Sequence, residues 1–205
     1  MTPLRPSKII GVGRNYLEHA KELGNEVPKS PIIFFKPPSA LGGPGDPIRL
    51  PHASAQVEFE GEIGVVIPSR LGGLSVEAAE RTPLGFTCVN DVTARDLQKA
   101  DGQWGRAKGF DSFCPVGPRV VSGLDWRQLE VFCRVNGVQR QHGKAADMAF
   151  PIPYLVSFIS RIMTLEPGDI IMTGTPAGVA ALKPGDVVEV EIPGVGVLSN
   201  PVVAA

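Results

Sequence analysis

Cysteine is scarce in this 205-residue chain: Cys88, Cys114 and Cys133 form an odd set, in no metal-ligand spacing, each within apolar sequence. That excludes a disulfide scaffold and a zinc ribbon, and reads as three buried thiols in a reducing compartment. Aromatic residues make up only 6%, and the net charge is −1, with both signs mixed along the chain. Without a basic arm or a Lys/Arg cluster interleaved with aromatics, nothing is set out to track a phosphate backbone, which argues against nucleic-acid binding. No apolar run approaches the roughly 18 residues of a spanning helix. Met1-Thr2-Pro3-Leu4-Arg5-Pro6 carries no apolar export core, so a cytoplasmic protein with no membrane partner is expected. Histidine is rare too, and His52 and His142 have no partner pattern.

Glycine (24) and proline (20) are abundant and spread throughout, the mark of many short strands joined by turns. The pattern predicts strands at 9–13, 32–35, 57–67, 85–91, 116–121, 131–136, 169–173 and 187–192. Asn136-Gly137 signals a tight type I′ hairpin between two such runs. Helices are predicted over 16–23, 75–81 with Ser75 as N-cap, 93–100, and 152–163 with prolines near its start and a broad apolar surface. No linker, repeat or low-complexity segment interrupts the chain. With 43% hydrophobic residues, the expectation is one α+β domain, predominantly β, over residues 1–205.

One stretch stands out: Val57-Glu58-Phe59-Glu60-Gly61-Glu62-Ile63-Gly64-Val65-Val66-Ile67. In an extended strand, residues two apart share a face, so Phe59, Ile63, Val65 and Ile67 would meet a core while Glu58, Glu60 and Glu62 align opposite. Carboxylates about 7 Å apart repel unless solvent or a cation intervenes. A solvated strand face is the plain reading. A second acidic stretch, Asn90-Asp91-Val92-Thr93-Ala94-Arg95-Asp96, follows the apolar run 84–89. A carboxylate at the end of a buried strand, with two more on another, is an oxygen cage for a hard divalent cation, Mg²⁺ or Mn²⁺ rather than Zn²⁺.

These segments, with Gly11-Val12-Gly13-Arg14-Asn15-Tyr16, Ala107-Lys108-Gly109-Phe110-Asp111-Ser112-Phe113-Cys114-Pro115 and Thr173-Gly174-Thr175-Pro176-Ala177-Gly178-Val179, resemble the fumarylacetoacetate hydrolase family in content and order. The chain is similar to its compact, single-domain acylpyruvase and hydroxyheptadienedioate isomerase type. The resemblance implies a mixed β-roll or barrel with a few short helices, a divalent Mg or Mn ion, 2-oxo acid or enol substrates, and a homodimer. It implies Glu60, Glu62 and Asp91 as metal ligands, with Glu58 behind them.

His19 and Glu22, three residues apart on a predicted helix, can meet on one face, ordinarily as a surface pair. The family places such a His-x-x-Glu on a lid over substrate, where a carboxylate-held histidine is a general base able to activate water. Gly24-Asn25-Glu26-Val27-Pro28 would supply its mobile exit. The resemblance also implies Lys108 as a catalytic cation near the metal, suited to a developing enolate. Lys36, at the end of an apolar strand, Arg14, Arg95, Gln98 and Thr175 are candidate substrate contacts. Arg95 and Asp96 also read as a helix-start ion pair. Gly11-Val12-Gly13 is no dinucleotide fingerprint, since the third glycine and the acidic partner are missing.

The expected activity is cleavage of a C–C bond next to a 2-oxo acid through a metal-bound enolate, as an acylpyruvate hydrolase or oxaloacetate decarboxylase. The alternative is a 2-hydroxyhepta-2,4-diene-1,7-dioate isomerase or 5-oxopent-3-ene-1,2,5-tricarboxylate decarboxylase of aromatic catabolism. A non-catalytic metal-binding module ranks behind both.

Overall fold

The computed structural model describes residues 5–22 and 28–205, without the side chains of residues 19–21. Its strands are β1 (Ile9–Gly13), β2 (Ile32–Lys36), β3 (Leu41–Gly42), β4 (Ile48–Leu50), β5 (Val57–Glu58), β6 (Gly61–Val66), β7 (Gly85–Asn90), β8 (Thr93–Ala94), β9 (Cys114–Ser122), β10 (Glu130–Val135), β11 (Val138–Lys144), β12 (Ile170–Met172), β13 (Val187–Ile192) and β14 (Gly196–Ala204). The helices are α1 (Leu17–Glu22), α2 (Val76–Glu80), α3 (Arg95–Asp101), α4 (Gly105–Lys108) and α5 (Ile152–Ile162). No helix among the described residues is long and apolar enough to cross a membrane.

Seven strands form one curled mixed sheet in the order β2-β1-β12-β6-β7-β9-β3, and five form another, β11-β10-β13-β14-β4. The sequence explains how they face each other. In β10 and β13 alternate residues point inward, Val131, Cys133 and Val135 on one, Val188, Val190 and Ile192 on the other. In β6, β7 and β12 every residue is buried, because the curled sheet is covered on both faces. The core joins Ile63, Val65 and Phe86 of the larger sheet to Val131, Val190 and Leu198 of the smaller. All three cysteines are buried and free, and burial pushes each thiol up to about 12.

The predicted hairpin forms as expected. Asn136 and Gly137 both take positive φ, 53° and 76°, as a type I′ turn requires, and β10 pairs antiparallel with β11 around them. Ser75 caps α2, its hydroxyl accepting from the Ala78 amide at 3.1 Å. The predicted strand over 57–67 is corrected in one respect: it breaks at Phe59-Glu60, and β5 turns away to pair with β8. The plain reading of its glutamates as a solvated face fails, because Glu58, Glu60 and Glu62 are all buried.

Candidate metal centre and active site

Glu60 ends the break and Glu62 lies in β6, while Asp91 directly follows β7. These two strands are antiparallel neighbours, with Gly61 opposite Asn90 and Glu62 opposite Val89. The pairing therefore carries Asp91 back alongside Glu60. Two hydrogen bonds fix the junction: the Asp91 amide donates to the Glu60 carbonyl at 2.8 Å, and the Glu60 amide donates to Asn90 Oδ1 at 3.0 Å. Gly61 is required between the two glutamates, since a Cβ there would lie 2.9 Å from Cys133 Cβ.

One carboxylate oxygen from each of Glu60, Glu62 and Asp91 lies within 4.8 Å of the others. Burial, then Asp91 and Glu60, hold the Glu62 carboxyl well above its ordinary range. Among the described residues the possible metal donors that converge are carboxylate oxygens, and the buried acids Glu58, Glu60, Glu62 and Asp91 outnumber the cations that contact them, Lys36, Arg95 and Lys108, by one. Both features fit a hard divalent ion. Lys108 Nζ bridges Glu60 at 2.7 Å and Asp91 at 2.5 Å, and lies 4.8 Å from the centre of the Phe34 ring. Burial alone would lower the Lys108 ammonium, but Asp91 and Glu60 reverse this and raise it.

The other expected residues fall into three positions. Arg95 does not pair with Asp96. Its guanidinium donates to Glu58 at 2.7 Å, to Glu60 at 2.5 Å and to Gln98 at 2.6 Å, and Asp96 instead takes Ser54 and the Ala55 amide. Glu58 thus stands behind the centre, as expected. Lys36 is 1% exposed and binds Asp91 at 2.5 Å and the Val92 carbonyl at 3.0 Å, so it braces Asp91 rather than facing open space. Arg14, Glu22, Gln98, Lys108 and Thr175 share with the acidic triad the lining of one cavity of about 590 Å³. Glu22 accepts from the Gly178 amide at 3.1 Å, which docks α1 on the loop after Thr175. The His19 side chain and Gly24-Asn25-Glu26-Val27 lie outside the described residues.

Several bracing residues carried no signal of their own. Gln141, from the smaller sheet, accepts from the Gly61 amide at 2.9 Å and donates to Thr175 Oγ1 and the Pro176 carbonyl, both at 2.7 Å. Asn15 donates to the Thr173 carbonyl at 2.7 Å and accepts from the Phe150 amide at 2.8 Å. The Gly174 amide closes the loop on Glu62 at 2.6 Å. His142 has partners after all, pairing with Glu130 at 2.8 Å and stacking on Phe132, away from the centre.

Residues 8–203 match the fumarylacetoacetate hydrolase C-terminal family. The chain belongs to this family. It is 43% identical over 195 residues to the mitochondrial oxaloacetate decarboxylase of Dictyostelium discoideum, covering 91% of this chain and 89% of that protein. The structure of 2-hydroxyhepta-2,4-diene-1,7-dioate isomerase from Mycobacterium marinum is 46% identical, with a TM-score of 0.90 over 98% of this chain and 76% of that one. Fumarylpyruvate hydrolase from Pseudomonas aeruginosa, solved with Mn²⁺ and pyruvate, is 30% identical, with a TM-score of 0.90 over 99% of this chain and 91% of that one. The family expectation made from the motifs therefore holds, as does the predominantly β fold.

Proposed function

We propose that this protein is a Mg²⁺- or Mn²⁺-dependent enzyme that cleaves a C–C bond next to a 2-oxo acid through an enolate, by acylpyruvate hydrolysis or oxaloacetate decarboxylation. The observation that carries this is the convergence of Glu60, Glu62 and Asp91 in a cavity that Lys108 and Glu22 also line. When bound, the ion would chelate the 2-oxo acid and draw electron density from its C2 carbonyl. Glu60, Glu62 and Asp91 would hold it. Arg95 and Lys36 keep Glu60 and Asp91 aimed, and Lys108 places a buried positive charge where enolate charge develops. Gln98, Thr175 and Arg14 would contact substrate oxygens.

In hydrolysis, His19 would act as the base, with Glu22 orienting it, and take a proton from water as the oxygen attacks the distal carbonyl. The C–C bond then breaks, its electron pair passes to the leaving enolate, and protonation of that enolate gives pyruvate. Decarboxylation reaches the same enolate by loss of CO₂, without water attack. Similarity to the M. marinum isomerase supports a second reading, in which the enolate is only reprotonated at another carbon. A single catalytic domain, assembly as a homodimer and a cytoplasmic location complete the proposal; the family match over residues 8–203 supports the first.

Two measurements test it. Asp91→Ala should lose Mn²⁺ binding in calorimetry, and EDTA-treated wild type should regain turnover only with Mg²⁺ or Mn²⁺. Acetylpyruvate, fumarylpyruvate, oxaloacetate and 2-hydroxyhepta-2,4-dienedioate should then be assayed on wild type and His19→Ala in parallel. Hydrolysis should fall roughly 10²-fold or more in the variant while Mn²⁺ affinity stays. Turnover of the dienedioate alone, unchanged in His19→Ala, would replace the hydrolase reading with the isomerase.

A further inference from the structure

The cavity carries more positive charge than the chemistry above uses. Among the described residues, eight charged side chains line it, four acidic (Glu22, Glu60, Glu62, Asp91) and four basic (Arg14, Arg95, Lys99, Lys108). Behind the wall, Lys36 and Glu58 add one of each sign. Lys108 and Arg95 are engaged with the buried carboxylates. Arg14 and Lys99 form no hydrogen bond or ion pair among the described residues, although both border the cavity.

The fold sets this pair on two sides of the cavity. Arg14 sits at the end of β1 with φ of 58°, a left-handed conformation that a residue with a side chain adopts only at a cost. Gly13 beside it packs on the Trp104 ring, 2.7 Å from where a Cβ would stand, and Trp104 lines the same cavity. Lys99 lies in the last turn of α3, the helix whose first residue, Arg95, is pinned to Glu58 and Glu60. One cation therefore rises from the β1 end and the other from α3.

With every lining carboxylate ionised, as ion binding requires, these charges balance, and a divalent ion would leave two positive charges over. One substrate carboxylate, chelated, offsets one of them. We propose that Arg14 and Lys99 form a subsite for a second carboxylate, so that the cavity selects dianionic 2-oxo acids over monoanionic ones of the same length. Lys99 and Arg14 then act as specificity residues, in an electrostatic field focused by low-dielectric walls. This rests on the proposed chelate, and the test keeps the two separable.

The probes are oxalate, which offers only the chelating atoms, 2-oxoglutarate, which adds a distal carboxylate, and 2-oxopentanoate, which ends in a methyl at the same length. Binding is read by calorimetry on Mn²⁺-loaded wild type, Lys99→Ala and Arg14→Asn, the last because asparagine tolerates a left-handed φ. Wild type should bind 2-oxoglutarate about tenfold or more tighter than 2-oxopentanoate, the scale of one charge-assisted contact. Each variant should shrink that ratio, and Lys99→Ala should bind oxalate as wild type does. Equal binding of the two oxo acids by wild type, or an undiminished ratio in both variants, overturns the subsite. Failure of Mn²⁺-loaded wild type to bind oxalate would instead remove the chelate, and the functional proposal with it.

Discussion

Four carboxylates, Glu58, Glu60, Glu62 and Asp91, are buried together, and Arg95, Lys36 and Lys108 are the cations that contact them among the described residues. Removing Arg95 would leave buried Glu58 with the Gln56 amide in place of a cation and Glu60 with one fewer of the cations that contact it, a far larger loss than breaking an exposed pair. Arg95→Met should therefore destabilise the metal-free protein by about 3–5 kcal/mol. It should also weaken Mn²⁺ binding, since Glu60 loses its brace. Urea unfolding checks the first effect and calorimetry the second; a loss below about 1 kcal/mol would mean that water already reaches the pair. The convergence of Glu60, Glu62 and Asp91 was legible in the sequence because carboxylates at strand ends within apolar runs are themselves unusual. The role of Arg95 was not, because its nearest acid in the chain, Asp96, is held elsewhere by Ser54 and Ala55. Nor were Gln141 and Asn15, whose work is done on backbone groups far away in sequence.

At the scale of elements, apolar runs located β1 and β2, alternation matches the burial of β10 and β13, the Ser75 cap marks α2, and prolines near its start with a broad apolar surface mark α5. Three features were hidden. The break in the 57–67 run follows from Asn90 capturing the Glu60 amide, a contact between strands. The four-residue α4 is too short for any periodic signal. β14 contains Ser199-Asn200-Pro201, which reads as a turn but is held extended against β13, with Val202, Val203 and Ala204 then pairing with β4. The junction between the two sheets is testable at Gly61. A methyl there would press on Cys133 Cβ at 2.9 Å and reach within 3.4 Å of Gln141 Oε1. Gly61→Ala should cost about 1–3 kcal/mol of stability, as overpacked cores do. Mn²⁺ affinity should fall with it, because Gln141 ties Gly61 to Thr175. Wild-type stability and affinity in that variant would show that Cys133 gives way freely and that the brace is dispensable.

For the whole molecule, the acidic centre couples metal, protons and folding. Glu62 has a carboxyl raised well above its ordinary 4.5 by burial and then by Asp91 and Glu60. Between 4.5 and that raised value the metal-free folded chain holds a proton that the unfolded chain has released. Stability from this group is therefore present below 4.5 and lost as pH rises through the folded value. A divalent ion needs the carboxylate, displaces the proton, and stabilises the fold by mass action. Its affinity thus rises with pH across the same window. Asp169 acts oppositely and lower on the scale. Burial works against it, but Lys8, the Glu166 amide and Ser7 lower it below 3.8, so its contribution is lost as pH falls through that depressed value. The gain in Tm on adding Mn²⁺ should consequently grow as pH rises from 4.5 towards the raised Glu62 value, while acid unfolding through the depressed Asp169 value is shared by the loaded and stripped forms. Calorimetric scans of both forms at each pH would read this directly, with Asp91→Ala expected to show no Mn²⁺-dependent rise. A gain in Tm that is flat across the range would mean that Glu62 is already ionised in the metal-free fold, and proton displacement would no longer be part of metal binding.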